Sequence, residues 1–380
     1  MFRTALLAAA LLWPTHALAQ SVPPEVMEHY RTYAAEMKKA EPDTRVKSEA
    51  AYDAWQEAED RLGDSKLTGD LAINFAETRF GHVRDETVDP TDAYARAAEL
   101  ADHYPASERD EVFAQRQILH AAYLLNDART RRAARRARRV LDSVSERLRG
   151  TALEASTYAA DVEVLRTQSY VLDKNGKKAL QHADLAKNAF AAADDGLYSV
   201  YRFQLPLFEA VAAREAGQDL RAARALHALV EDNFRATGRY TGPSATAYGE
   251  WLKLRDDLKK RADEPEVAEL VAWTPPPSPG ADDPAIRTPP VMPQSARRSG
   301  WVDLRFDIGM DGRVDTDTVR VVEASENIFR DPSTSVVESW VYPPGMPESD
   351  RKAADARITF ILSRPDGSLV PPLREAPPKE

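Results

Sequence analysis

The 380-residue chain contains no cysteine. That excludes disulfide staples, thiol nucleophiles and zinc–thiolate centres, and with them the acylated cysteine that a lipoprotein carries after its export signal. Long apolar runs are also missing beyond the first twenty residues, so no later segment can cross a hydrocarbon core of about 30 Å. Positive charge is in deficit. Lys and Arg number 51 against 61 Asp and Glu, a net charge of −10. A general nucleic-acid binder needs a basic surface, so nucleic acid is not an expected partner. There is no Gly-x-Ser-x-Gly elbow and no phosphate-cradling glycine loop. His29, His82, His103, His120, His182 and His227 are scattered, with no pair at a metal-ligand spacing such as i, i+4. The abundant carboxylates read as solvated helix faces. No catalytic residue, metal ligand or cofactor is expected from these patterns, and the chain is not expected to be an enzyme.

The amino terminus carries the compartment signal. Arg3 gives a positive start, Ala5 to Trp13 form a short apolar run, and Ala17-Leu18-Ala19 is a small-x-small cleavage site. Nine apolar residues at about 1.5 Å each reach roughly 14 Å, about half of a bilayer core. The expectation is a signal peptide over 1–19, cleavage between Ala19 and Gln20, and no stable membrane span afterwards.

From about Val26 to Ala272 the composition is rich in Ala, Leu, Glu and Arg, with little strand-like alternation. Ala133, Ala137, Val140, Leu141, Val144 and Leu148 fall on one helical face. Leu207, Phe208, Val211 and Ala212 form another, and Leu226, Leu229 and Val230 a third. Breaks recur at Asn126-Asp127, Asn175-Gly176 and Gly217-Gln218, each followed by small residues that let the next helix pack closely. This looks like tetratricopeptide-type helical hairpins. The spacing between breaks is roughly 49 and then 41 residues against a repeat of about 34, so the region is a degenerate repeat array or a plain helical bundle.

Within it, Arg129-Thr-Arg131-Arg132-Ala-Ala-Arg135-Arg136-Ala-Arg138-Arg139 holds seven arginines. One reading is the solvated side of an amphipathic helix. The other is a docking patch for an anionic surface such as lipid headgroups, lipopolysaccharide or an acidic protein.

Between Thr274 and Pro293 there are eight prolines in twenty residues. Proline removes amide donors and fixes one backbone angle, so residues 273–293 are expected as an extended spacer reaching up to about 60 Å. Beyond it the period changes. Val302, Leu304, Phe306 and Ile308 alternate with Asp303, Arg305 and Asp307, a strand with one buried face. Asp311-Gly312 reads as a hairpin turn supplying positive backbone angles. A second strand follows through Val314 and Val319 to Val322, then a short helical run to Glu338-Ser-Trp340, and a last alternating strand over Ala356 to Leu362. Trp340 and Tyr342 read as core aromatics beside Val336 and Val337. Trp301 falls on the polar-facing register, so it either packs under a cover or is exposed to a partner.

This ordered set resembles the C-terminal domain of the TonB energy-transducer family. The matching positions are Pro293, Gly300-x-Val302, Asp311-Gly312-Arg313-Val314, Phe329, Trp340-x-Tyr342-x-Pro344 and Ile358-x-Phe360, within about residues 286–366. The family's aromatic-proline entry to the domain is Met292-Pro293 here.

The resemblance implies a three-stranded antiparallel sheet backed by two helices, in a periplasmic protein of a Gram-negative bacterium. It also implies capture of an extended segment of an outer-membrane TonB-dependent receptor, or of another envelope protein, in TonB-dependent transmembrane transport. The mechanism is strand addition to the exposed edge of the last strand. Arg357, Ile358, Thr359, Phe360, Ile361 and Leu362 are therefore the expected partner-binding residues, with Trp301 beside them.

The fold class expected is a multidomain α+β protein. It comprises a signal peptide (1–19), an all-α repeat-like domain (20–272), a proline-rich linker (273–293), a TonB C-terminal-like domain (286–366) and a disordered tail (367–380). The helical domain is a candidate surface for a second protein. Two alternatives remain at this point. One is a true energy transducer anchored in the inner membrane by an uncleaved amino terminus; the other is an envelope enzyme with its site in the helical domain.

Overall fold

The structure, a computed structural model, describes residues 22–40, 42–78, 82–83, 86–127, 130–197, 199–240, 242–278, 290–293, 295–362 and 370–372. The signal segment, with Ala19 and Gln20, lies outside the described residues, as do 279–289 of the proline run. No helix among the described residues is long and apolar enough to cross a membrane.

The chain divides into two compact units. The first holds residues 1–173 and 181–199, the second 174–180 and 200–380. This division falls inside the helical region, not at residue 273. The described part of the first unit is helical: α1 (Pro24–Met37), α2 (Thr44–Leu62), α3 (Lys66–Thr78), α4 (Pro90–Glu99), α5 (Arg109–Asp127), α6 (Arg131–Leu148) and α7 (Thr157–Leu172). A two-residue ladder, β1 (His82–Val83) with β2 (Glu86–Thr87), interrupts them. Each helix packs on the next, which a repeat array and a plain helical bundle share. Short polar side chains start them: Asp43 accepts from the Arg45 and Val46 amides at 2.9 and 3.1 Å, and Thr130 from the Ala133 amide at 3.1 Å.

Of the expected face of α6, Ala133, Ala137, Leu141, Val144 and Leu148 are buried; Val140 is only half-buried, and Ala134 joins the buried set. The anticipated breaks all fall at helix junctions: Asn126-Asp127 are the last residues of α5 instead of the break itself, Gly176 opens the next helix, and Gly217-Gln218 lie between two helices. The last of the three is closed by the left-handed Gly217. The helix α8 (Gly176–Ala192) begins in residues assigned to the second unit and ends in those of the first.

In the second unit, α9 (Leu205–Glu215), α10 (Asp219–Thr237), α11 (Gly242–Leu258) and α12 (Pro265–Ala272) precede the sheet. Leu226, Leu229 and Val230 are buried on α10 as the spacing predicts. On α9 the buried face is rotated to Leu205, Ala210, Ala212 and Ala213, while Leu207, Phe208 and Val211 are only half-buried. The reason is a shallow pocket of about 360 Å³, lined by Leu207, Ala210, Val211, Leu226 and the charged rim of Arg214, Glu215 and Glu250.

The carboxy-terminal sheet has the order β4–β3–β5 and is antiparallel throughout. Its strands are β3 (Gly300–Ile308), β4 (Val314–Ala324) and β5 (Ala354–Phe360). One face is covered by α13 (Arg330–Glu338) and the segment around Trp340 and Tyr342; the short α14 (Glu348–Arg351) leads into β5. Val302, Leu304, Phe306, Ile358 and Phe360 form the core with Phe329, Val337 and Trp340. Trp340 and Tyr342 are core residues, 2% and 8% exposed, as the helical context predicts. Met292 is partly buried and packs against this same core.

Three expectations need correction. Asp311 does not adopt a positive φ; only Gly312 does, at +80°. The Gly312 amide bonds the Gly309 carbonyl at 2.9 Å and the Gly309 amide bonds the Arg313 carbonyl at 2.8 Å, a wider turn that needs one left-handed residue instead of two. Secondly, residues 274–278 are not free spacer. Tyr240 Oη donates to the Pro276 carbonyl at 2.8 Å, the Ser278 amide donates to the Pro344 carbonyl at 2.8 Å, and Gly345 lies against Pro277. A proline-rich segment keeps its carbonyls as acceptors and its rings as apolar surface, so it packs where partners are supplied. Thirdly, part of the expected tail is held. The Val370 amide donates to the Leu362 carbonyl at 2.8 Å and the Ser299 amide to the Val370 carbonyl at 3.0 Å. The rest of 367–380 lies outside the described residues.

Candidate partner-binding edge

The last strand takes its place because of β3. Alternation puts Val302, Leu304 and Phe306 of β3 on the helix-covered face, opposite Ile358, Ala356 and Ala354 of β5. Phe329 stacks on Phe360 with centroids 4.8 Å apart. Gly300 makes this possible, since a Cβ there would fall inside the Phe329 ring. The strand begins two residues earlier than the alternation alone suggests, so Asp355 joins it.

On the opposite face the same register lines up charges. Asp303 sits across from Arg357, with Nε–Oδ1 2.6 Å and Nη2–Oδ2 2.8 Å. Arg305 sits across from Asp355, Nε–Oδ1 2.9 Å. Asp307 accepts from the Ala353 amide at 2.9 Å and from Lys352 Nζ at 2.7 Å. Those two bonds hold the Asp307 carboxyl below the usual carboxylate range. Such cross-strand pairs fix which residues of β5 face which of β3.

Register also decides which backbone groups of β5 point outward. In an antiparallel ladder, alternate residues turn their N–H and C=O to opposite neighbours. The Trp301 amide donates to Ser325 Oγ at 2.9 Å and its carbonyl accepts from the Ser325 amide at 2.9 Å, so Trp301 faces the β4 side. Its partner Thr359 consequently turns its backbone away from β3, as do Asp355 and Arg357; Ile361 follows the end of β5, between Phe360, which pairs with Gly300, and Leu362, whose amide bonds Ser299 Oγ. Among the described residues no strand pairs with β5 on that side.

Of the residues expected to bind a partner, the structure sorts them by role. Arg357 and Thr359 have outward backbone groups; Thr359 is exposed and the Ile361 side chain is 64% exposed. Ile358 and Phe360 are 2% exposed and pair inward with Val302 and Gly300, so they support the edge and do not present it. Leu362 is already engaged, its amide on Ser299 Oγ at 3.0 Å and its carbonyl on Val370.

Trp301 is not an exposed aromatic. It is 2% exposed, with the Arg357 guanidinium 5.3 Å above its ring, and that cover removes it from direct contact with a partner. Asp355 is the outward residue that sequence reasoning missed. Its position opposite Arg305 is the signal that would have placed it in the strand.

The other candidate features read as structural. His227 is packed between Trp251 and Trp273, with centroids at 4.3 and 3.9 Å, and burial pushes its pKa down to about 4. Among the described residues no group of three or more His, Asp or Glu could hold a metal ion.

The sheet is small and antiparallel, backed on one face by a helix and an aromatic segment, and its last strand has no outer neighbour among the described residues. Residues 289–362 match the family of the Gram-negative bacterial TonB protein C-terminal. Sheet order, helices and sequence match agree that this segment is similar to the TonB C-terminal domain. No curated protein matches the chain.

Proposed function

We propose that this protein is an adapter of the Gram-negative envelope that captures an extended segment of a partner by adding it as a fourth strand along β5. The supporting observation is the outward backbone of Asp355, Arg357 and Thr359 at the open side of the sheet. The family match points to an outer-membrane receptor involved in TonB-dependent transport as the partner class. Backbone pairing would supply affinity, while Arg357 and the exposed Ile361 flank the added strand and select its side chains. The helical region, with its half-open α9 face, is a second surface for another envelope protein. The signal-like amino terminus supports a periplasmic location.

The test uses a synthetic peptide from the amino-terminal segment of an outer-membrane receptor. It should bind, and slow hydrogen exchange at the Arg357 and Thr359 amides. Thr359→Pro removes an outward donor at an edge position where proline is tolerated. It should weaken peptide binding at least tenfold with circular dichroism unchanged, whereas Thr359→Val, which keeps the amide, should bind normally. Equal affinity for the proline variant and the native protein would refute strand addition at β5.

A further inference from the structure

The arginine run of α6 separates in the structure into two groups. Arg138 is committed: its Nη2 lies 2.5 Å from Asp173 Oδ2 and its guanidinium sits 4.5 Å from the Tyr170 ring centroid. Arg131, Arg132, Arg135 and Arg139 are exposed, and none of them makes an ion pair among the described residues. Arg136 is half-buried, near enough to His120 to add to the burial that lowers that imidazole to about 4. The unpaired group runs from Arg131 to Arg139, about 12 Å of helix.

Three features make this arrangement unlike an ordinary solvated face. The first is its surroundings, for other arginines of the same unit find carboxylates. Arg96 takes Glu59 and Asp64, Arg147 takes Asp102 and Asp110, and Arg166 takes Asp142, the acid nearest the run on α6 itself. In a chain with ten more acidic than basic residues, four neighbouring exposed arginines with no ion pair among the described residues stand out.

The second is the cost to the helix. Arg131 and Arg132 sit in the first turn, which has no acidic residue, at the positive end of the helix dipole. Arg131, Arg135 and Arg139 repel one another at i, i+4 spacing, as do Arg132 and Arg136. A bound anionic surface relieves both penalties.

The third is what the face lacks. Every exposed position of α6 is charged, from Arg131 to Glu146, with no exposed apolar or aromatic side chain. Protein interfaces are centred on buried aromatic or aliphatic anchors. An array of guanidinium groups without such an anchor suits a flat layer of phosphates, which arginine contacts bidentately.

We propose that the Arg131–Arg132–Arg135–Arg139 stripe of α6 is a docking surface for the phosphate headgroups of an anionic phospholipid membrane. The stripe attaches the protein peripherally, by charge and without insertion, so attachment is reversible and salt-sensitive.

The experiment is co-sedimentation of the purified full chain with phosphatidylcholine vesicles and with vesicles in which about one-third of the lipid is phosphatidylglycerol. Binding above the phosphatidylcholine level is expected only for the anionic vesicles, and should disappear as salt is raised. Replacing all four arginines by glutamine, a good helix former, should cut vesicle affinity on the order of 100-fold with helical content unchanged. Four lysines at the same positions should retain most of the binding, which guards against loss through misfolding. Lys259→Gln with Lys260→Gln, two exposed cations elsewhere, should leave it intact. Equal binding to both vesicle types, or full binding by the glutamine variant, would overturn the proposal. So would stripe-dependent binding to polyglutamate with none to vesicles, which would assign the surface to an acidic protein.

Discussion

Asp161 on α7 is 7% exposed and accepts a hydrogen bond from Ser199 Oγ. Asp195, nearby, accepts instead from the Thr157 amide at 2.6 Å, Thr157 Oγ1 at 2.7 Å and the Leu197 amide at 3.0 Å. The two carboxyls are thus treated differently by their surroundings. Burial, reinforced by the charge of Asp195, raises the Asp161 carboxyl to about 7 against the bond from Ser199. Its folded-state pKa lies above the unfolded value near 4, so the folded state holds the proton more tightly. The associated stability is fully present below about pH 4 and is lost as pH rises toward 7. Asp161→Asn should therefore raise stability at pH 8 by up to about 4 kcal/mol relative to the native chain, with little effect at pH 4. Urea denaturation across that range measures it; a pH dependence identical in the two proteins would sink the assignment. None of this was visible in the sequence, where Asp161 is one carboxylate among many on acidic helices.

At the scale of elements, the β3–β4 hairpin does more than reverse the chain. Tyr248 Oη donates to the Asp311 carbonyl at 2.7 Å, and Arg255 Nη2 lies 3.2 Å from Asp311 Oδ2. Arg313 Nη2 reaches the Leu252 carbonyl at 3.0 Å and Asp256 Oδ2 at 2.5 Å. The turn is fastened to α11, and residues 274–278 are held by Tyr240, in the connection after α10, and by the Pro344–Gly345 bend. Arg313 is about two-fifths exposed, so its ion pair is screened and its contribution is about 1 kcal/mol. Arg313→Ala should accelerate hydrogen exchange of the 309–313 amides several-fold while leaving the β3–β5 amides protected. Unchanged exchange in the turn would show that the contact does not hold it.

Alternation and turn residues placed β3, β4 and β5 from local sequence, to within two residues for β5. The attachment to α11 was illegible because its partners lie more than fifty positions apart and carry no local pattern.

For the whole molecule, composition alone excluded disulfides and thiol chemistry, and period alone separated helices from strands. The amino-terminal pattern leads to one expectation for the intact chain. A short apolar run followed by Ala17-Leu18-Ala19 predicts export with cleavage before Gln20. The intact mass of the protein isolated from cells should correspond to residues 20–380, and a mass retaining Met1 would restore the anchored alternative.

Sequence by itself determined the element types, the junctions between helices and most of the buried faces of α6 and α10, because these follow from spacing along one stretch of chain. Only the tertiary structure decided which backbone groups of β5 turn outward, that Trp301 is covered, and which arginines of α6 make no ion pair among the described residues. Those properties depend on strand order, register and charges brought from distant positions, and no spacing within a single segment encodes them.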